Sequence, residues 1–212
     1  MPATIIRVTD KASFDRAVSL GASFLREGKL VVFPTETVYG IGCNALNESA
    51  VEALYRAKNR PKEKPLLLHL HALSQAESCA YLDDSARRLL AAFTPGPLSI
   101  IVKKRPHVPS AVTSGGETVG LRFPDEPLFL AMARAADLPI AATSANLSGF
   151  TSAKDGDAAR EMSEVADLII DGGACAYSIE STILSLAGDT PKILREGAIS
   201  KEMLLEVMGQ CL

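Results

Sequence analysis

The sequence predicts an α/β fold: one domain, residues 1–212, in which helices flank a mixed, largely buried β-sheet. Three observations carry this. Short apolar runs alternate with stretches whose apolar residues recur at helical spacing. A chain of 212 residues with 47% hydrophobic content and 5% aromatics suits one sizeable domain. No long linker, repeat or low-complexity tract divides it.

Taken in order, Ile5 to Val8 reads as a strand, and Phe14, Ala17, Val18, Gly21 and Leu25 then trace a helix. Asp10 is placed to cap that helix, and Gly28 to end it. Lys29 to Phe33 is the second strand. Asn47 caps a helix reaching about Lys58, and 59–65 forms a charged loop before the apolar strand Leu66 to Leu70. Helices follow near 73–80 and 84–93, and Thr94-Pro95-Gly96-Pro97 breaks the chain. Leu98 to Val102 and Val119 to Phe123 read as strands, Pro127 to Ala136 as a helix, and Pro139 to Ala142 as a buried strand. A helix near 156–166, strands at Leu168 to Ile170, Ser181 to Leu186 and Lys192 to Leu194, and a short last helix complete the chain.

Composition narrows the function. The first ten residues lack the blocks of a signal peptide, and no stretch approaches a membrane span, so the expectation is a cytoplasmic protein without a membrane partner. The cysteines at 43, 79, 175 and 211 show no C-x-x-C, and the histidines at 69, 71 and 107 make no H-E-x-x-H. Reduced thiols and no protein-built metal site are therefore expected. A net charge of -3 argues against a globally basic nucleic-acid binder. Basic residues nonetheless cluster in "RAKNRPKEK", five cations against Glu63, and in Lys103-Lys104-Arg105. Solvated surface explains most of them, and a phosphate-bearing partner is the sharper reading.

In open α/β sheets ligands gather beyond strand ends, which directs attention to Thr35-Glu36-Thr37, to Arg122 in "VGLRFP", to Ser144-Ala145-Asn146 and to Ser181-Thr182. Ordinary turn and capping chemistry accounts for each taken singly. "GIGCNA" at 40–45 fits a loose dinucleotide fingerprint, but six residues separate it from the preceding strand and no acidic residue ends a strand about twenty positions on. No P-loop motif occurs, so a bound triphosphate needs side-chain cations.

The ordered blocks "FPTETVYGIGCNA", "AKNRPKEKPLLLH", "LRFP", "AATSANLSG", "ESTIL" and "ILREGAI" closely resemble the YrdC-type threonylcarbamoyl-AMP synthase family over about residues 10–200. Its K-x-R and S-x-N hallmark is matched by Lys58, Arg60, Ser144 and Asn146. The resemblance implies a twisted sheet around a deep, positively lined cavity, with the Gly40 and Gly42 backbone turning beside the ligand. It implies synthesis of threonylcarbamoyl-AMP and pyrophosphate from L-threonine, bicarbonate or CO2, and ATP carried with Mg2+. Lys58 and Arg60 would be catalytic. Thr35, His69, Arg122 and Ser181 would hold threonine, and Lys58, Arg60, Thr113, Ser144, Asn146 and Arg195 the nucleotide. The adenylate would pass to threonylcarbamoyl-transferase proteins that modify tRNA, and tRNA itself is a candidate partner. The chain stops soon after "ILREGAIS", as in the short form of the family, and Ser178 stands where the family usually has glycine. The alternative is a tRNA- or ribosome-binding module that keeps the cavity and catalyses nothing.

Overall fold

The computed structural model describes residues 2–209. The elements run β1 (Thr4–Arg7), α1 (Lys11–Arg26), β2 (Val31–Phe33), β3 (Gly40–Asn44), α2 (Glu48–Ala57), β4 (Leu67–His69), α3 (Leu73–Cys79), α4 (Asp84–Phe93), β5 (Leu98–Lys103), β6 (Thr118–Arg122), α5 (Pro127–Ala136), β7 (Ile140–Ser144), α6 (Gly156–Ala159), β8 (Leu168–Asp171), β9 (Thr182–Ser185), β10 (Lys192–Arg195) and α7 (Lys201–Met208). All ten strands join one sheet in the order β1-β8-β2-β3-β7-β4-β6-β5-β9-β10. It is mixed as expected: β4 runs parallel to β6 and β9 to β5, whereas β3, β7 and β10 pair antiparallel with their neighbours.

Local chemistry sets the helix ends. The Asp10 side chain accepts the Ser13 amide at 2.8 Å while the Ser13 hydroxyl accepts the Asp10 amide at 3.0 Å, a reciprocal cap that starts α1. Gly28, at φ 77°, ends it by letting Lys29 N–H reach back to Phe24 O. Asn47 caps α2 by accepting the Ala50 amide.

Alternation along the strands then sorts side chains onto two faces. One face carries Val32, Ile41, Leu68, Ile100, Leu121 and Leu184, packed beneath α2, α3, α4 and α7. The other carries Val31, Phe33, Ile140, Leu168 and Ile170 beneath α1 and α5. Those two helices cover only the half of their face nearest β1. On the remaining half, Leu67, Ile101, Ala142 and Ile183 floor a cavity.

Three expectations change. The strand Gly40–Asn44 is absent from the sequence reading, which took these glycines for a turn beside a ligand. A Cβ on Gly40 would lie 2.7 Å from the Phe33 ring, and one on Gly42 would lie 2.7 Å from Ile140 Cγ2, so packing within the sheet selects glycine at both positions. The helix expected at 156–166 is α6 followed by a tight 3-10 turn, Arg160–Met162. The cavity also lies over a sheet face, with strand-end residues at its two ends rather than beyond one edge. Cys43, Cys79 and Cys175 are buried and unbridged, and Cys211 lies outside the described residues. Among the described residues no helix is long and apolar enough to cross a membrane, and no three His, Cys, Asp or Glu side chains gather as a metal site.

Candidate functional site

The cavity has a volume of about 300 Å³. Its walls include seven of the expected site residues: Thr35, Arg60, His69, Arg122, Ser144, Ser181 and Arg195.

Register brings the amino-acid end together. β4 and β6 run parallel with His69 opposite Arg122, and β5 places Ser99 opposite Arg122 from the other side. The Ser99 and Ser181 hydroxyls then meet at 3.0 Å. Pro34 ends β2, and the Thr35 hydroxyl donates to Val38 O at 2.6 Å while its oxygen takes the Thr37 amide at 3.2 Å, which folds the polar run back on itself. Glu36 and Thr37 are thereby buried, and both accept from Arg122 Nη2, at 3.0 and 2.5 Å. His69 is flanked edge-on by Phe33 and Phe129, with ring centroids 6.1 and 5.9 Å away. Burial, then the neighbouring Arg122 charge, hold its pKa well below the ordinary value, so the ring is neutral at neutral pH.

The opposite end is cationic. α2 terminates with Asn59 at φ 47°; Asn59 N–H bonds Arg56 O and Arg60 N–H bonds Tyr55 O, reversing the chain. Arg60 then folds over the wall, where Nε donates to Lys64 O at 3.0 Å and Nη2 to Pro65 O at 2.8 Å. Lys58 goes the other way. Its side chain is 1% exposed, and Nζ donates to Ser144 O, to Asn146 O and, at 3.3 Å, to Asn146 Oδ1. Burial, reinforced by Arg60 and opposed by Glu180, pushes the Lys58 ammonium down to about 8. Asn146 in turn accepts the Ser144 hydroxyl and donates to Leu147 O and Phe150 O, so the S-x-N motif organises a turn. Lys58 and Asn146 therefore stand behind the wall that presents Ser144, and neither lines the cavity. Thr113, buried and donating to Gly116 O, also lies outside it.

Arg195 closes the third side, with Nε on Ser181 O at 3.0 Å, Nη2 on the Ser181 hydroxyl at 3.1 Å and Nη1 on Glu180 at 2.5 Å. The sequence reading missed Glu180, whose other oxygen takes the Ser152 hydroxyl at 2.9 Å, and left Glu36 without a role. In the lining, three arginines face one carboxylate, a surface suited to anions.

A family model, Sua5_yciO_yrdC, described as "Telomere recombination", matches residues 23–197. The chain belongs to the Sua5/YciO/YrdC family. Among curated members, the threonylcarbamoyl-AMP synthase of Bacillus subtilis is 44% identical over 208 residues, 96% of this chain and 60% of that protein. A putative threonylcarbamoyl-AMP synthase of Methanocaldococcus jannaschii is 39% identical over 84% of each chain. The crystal structure of Pyrococcus abyssi Sua5 complexed with L-threonine superimposes with a TM-score of 0.92 at 36% identity, over 100% of this chain and 62% of that one. The chain thus spans about three-fifths of the Bacillus and Pyrococcus family members.

Proposed function

We propose that this chain is a threonylcarbamoyl-AMP synthase. The observation that carries the reading is one cavity with two chemically different ends: Arg122, neutral His69 and the Thr35 and Ser181 hydroxyls at one, and Arg60 with Ser144 at the other. The first group suits an amino acid and the second a triphosphate. That a Pyrococcus relative is complexed with L-threonine supports an amino acid as one of the ligands.

In this reading Arg122 pairs with the threonine carboxylate, and Thr35, His69 and Ser181 complete its hydrogen bonds. The threonine ammonium gives up one proton, and the amine then adds to CO2, forming a carbamate with release of a second proton. A carbamate oxygen attacks the α-phosphorus of ATP, the bond from that phosphorus to the bridging oxygen breaks, and pyrophosphate leaves with the Mg2+ that entered with ATP. Little acid-base work falls to the protein, because the nucleophile is already an anion. Cations must hold two anions together and receive charge on the departing phosphates, which is the part for Arg60 and Arg195. Lys58 and Asn146 fix Ser144 from behind, and Thr113 stands outside this contact set. The adenylate then passes to transferase proteins acting on tRNA, in the cytoplasm, with the basic runs at 56–64 and 103–105 as the surface for direct tRNA contact.

The test is mass-spectrometric detection of threonylcarbamoyl-AMP after incubation with ATP, magnesium, threonine and bicarbonate. Product is expected only when all are present. Folded protein that binds RNA and forms no product overturns the reading in favour of a non-catalytic module.

A further inference from the structure

Three buried polar atoms without a hydrogen-bond partner, Glu36 Oε2, Arg122 Nε and His69 Nδ1, belong to side chains that meet at the amino-acid end of the cavity. Glu36 does not line the cavity. It reaches Arg122 from behind, with its Oε1 at 3.0 Å from Nη2 and both side chains 5% exposed. Thr37 holds the same nitrogen, so the known bonds of the guanidinium all lie on Nη2. A buried pair of this kind contributes little net stability, because desolvating two charges offsets their attraction. Its place against the cavity wall asks for another explanation.

Charge compensation along the cavity supplies one. Arg122 is matched by Glu36, and Arg195 by Glu180 at 2.5 Å, whereas Arg60 has no carboxylate partner among the described residues. His69 is uncharged. The amino-acid end is therefore close to neutral, and the uncompensated positive charge lies at the Arg60 end. A lone buried Arg122 would draw any small carboxylate, or bicarbonate itself. With Glu36 behind it, a bare anion meets a neutral pair, and a ligand that brings its own ammonium offsets the repulsion between its carboxylate and Glu36.

We infer that Glu36 is a specificity-determining positioning residue, which aims Arg122 and compensates its charge so that this end of the cavity admits a zwitterionic amino acid and discriminates against carboxylates lacking an ammonium. The inference rests on the reading of this cavity as an amino-acid site.

The experiment is titration calorimetry of the full chain with L-threonine and with (R)-3-hydroxybutyrate, which is threonine without its amino group. The unaltered protein is expected to prefer threonine by about tenfold or more, the lower end of what a charge about 4–6 Å away does to another. Glu36→Gln keeps the shape, removes the charge and should lower that preference by about tenfold, weakening threonine while sparing or tightening hydroxybutyrate. Thr37→Val removes a bond to the same nitrogen without changing charge and should weaken both ligands in proportion. Proportional weakening in Glu36→Gln would mean that Glu36 only braces Arg122, and the inference falls. Should that variant not fold, equal binding of the two ligands by the unaltered protein overturns the inference on its own. Threonine binding by neither form defeats the amino-acid reading first, an outcome distinct from an unchanged preference.

Discussion

Replacing Lys58 with methionine and with alanine separates what its ammonium does from what its stem does. Alanine removes three buried methylenes, worth about 2–2.5 kcal/mol at about 0.8 each. Either substitution strips Asn146 O of its donor, at about 1–3 kcal/mol, whereas Ser144 O keeps the Asn146 amide at 3.1 Å. Against this, burial lowers the ammonium from 10.5 to about 8, a burden of roughly 3 kcal/mol that both variants relieve. The terms for the nitrogen nearly cancel. Lys58→Met should match the unaltered protein within about 2 kcal/mol at pH 7, and Lys58→Ala should fall about 2–3 kcal/mol below Lys58→Met, read from urea denaturation. The pH dependence has a fixed sign. Between about pH 8 and 10.5 the unfolded chain holds a proton on Lys58 that the folded chain has released, so the unaltered protein gains stability relative to Lys58→Met as pH rises through that window. Threonine- and bicarbonate-dependent pyrophosphate release should drop about 10²-fold in both variants alike, the scale on which misplacing a positioned group slows a reaction, because the turn that presents Ser144 loses its tie. Parallel stability curves from pH 8 to 10.5, or near-normal turnover in folded Lys58→Met, would refute the assignment of the ammonium to the wall behind Ser144.

Serine lacks one methyl of threonine and should be used with kcat/KM about 10–200-fold lower; equal efficiency would mean the cavity does not contact the methyl. A Cβ on Gly120 would lie 2.2 Å from Leu67 Cδ2 and 3.0 Å from Ile101 Cδ1, both cavity-floor residues, so Gly120→Ala should lower stability by about 1–3 kcal/mol and raise the threonine KM. A thermal melt with steady-state kinetics checks both, and an unchanged KM would show that the floor does not shape the site. Ser178 sits at φ 52°, and Ser178→Gly should gain about 0.5 kcal/mol in urea denaturation by relieving that conformation. A loss there would mean that the Ser178 hydroxyl bond to Cys175 O, at 3.2 Å, outweighs the strain.

Most elements were legible because each has a local cause: a cap at Asp10 or Asn47, a stop at Gly28, or an apolar run of strand length. The omission of β3 has a physical reason. Glycine weakens a strand in isolation, so Gly40 and Gly42 read as a loop, and only the Phe33 ring and Ile140 on neighbouring strands explain why nothing larger fits. Glu36 was opaque for a related reason. It pairs with a residue 86 positions away, and that meeting depends on which strands lie side by side, information that no local pattern holds.

The K-x-R spacing shows how a motif can be legible in position while the arrangement of its side chains is not. Read along the sequence, Lys58 and Arg60 are two cations of one cluster, and the family resemblance implies nucleotide contact for both. The turn between them gives each a different setting. Lys58 caps α2 in the right-handed region and reaches Ser144 O at the end of β7, whereas Asn59 at φ 47° turns the chain so that Arg60 lines the cavity. The Asn59 and Arg60 amides close that turn by bonding Arg56 O and Tyr55 O. The spacing thus serves a division of labour. One cation is tied to the carbonyl oxygens of Ser144 and Asn146, and the other lines the cavity without a carboxylate partner among the described residues.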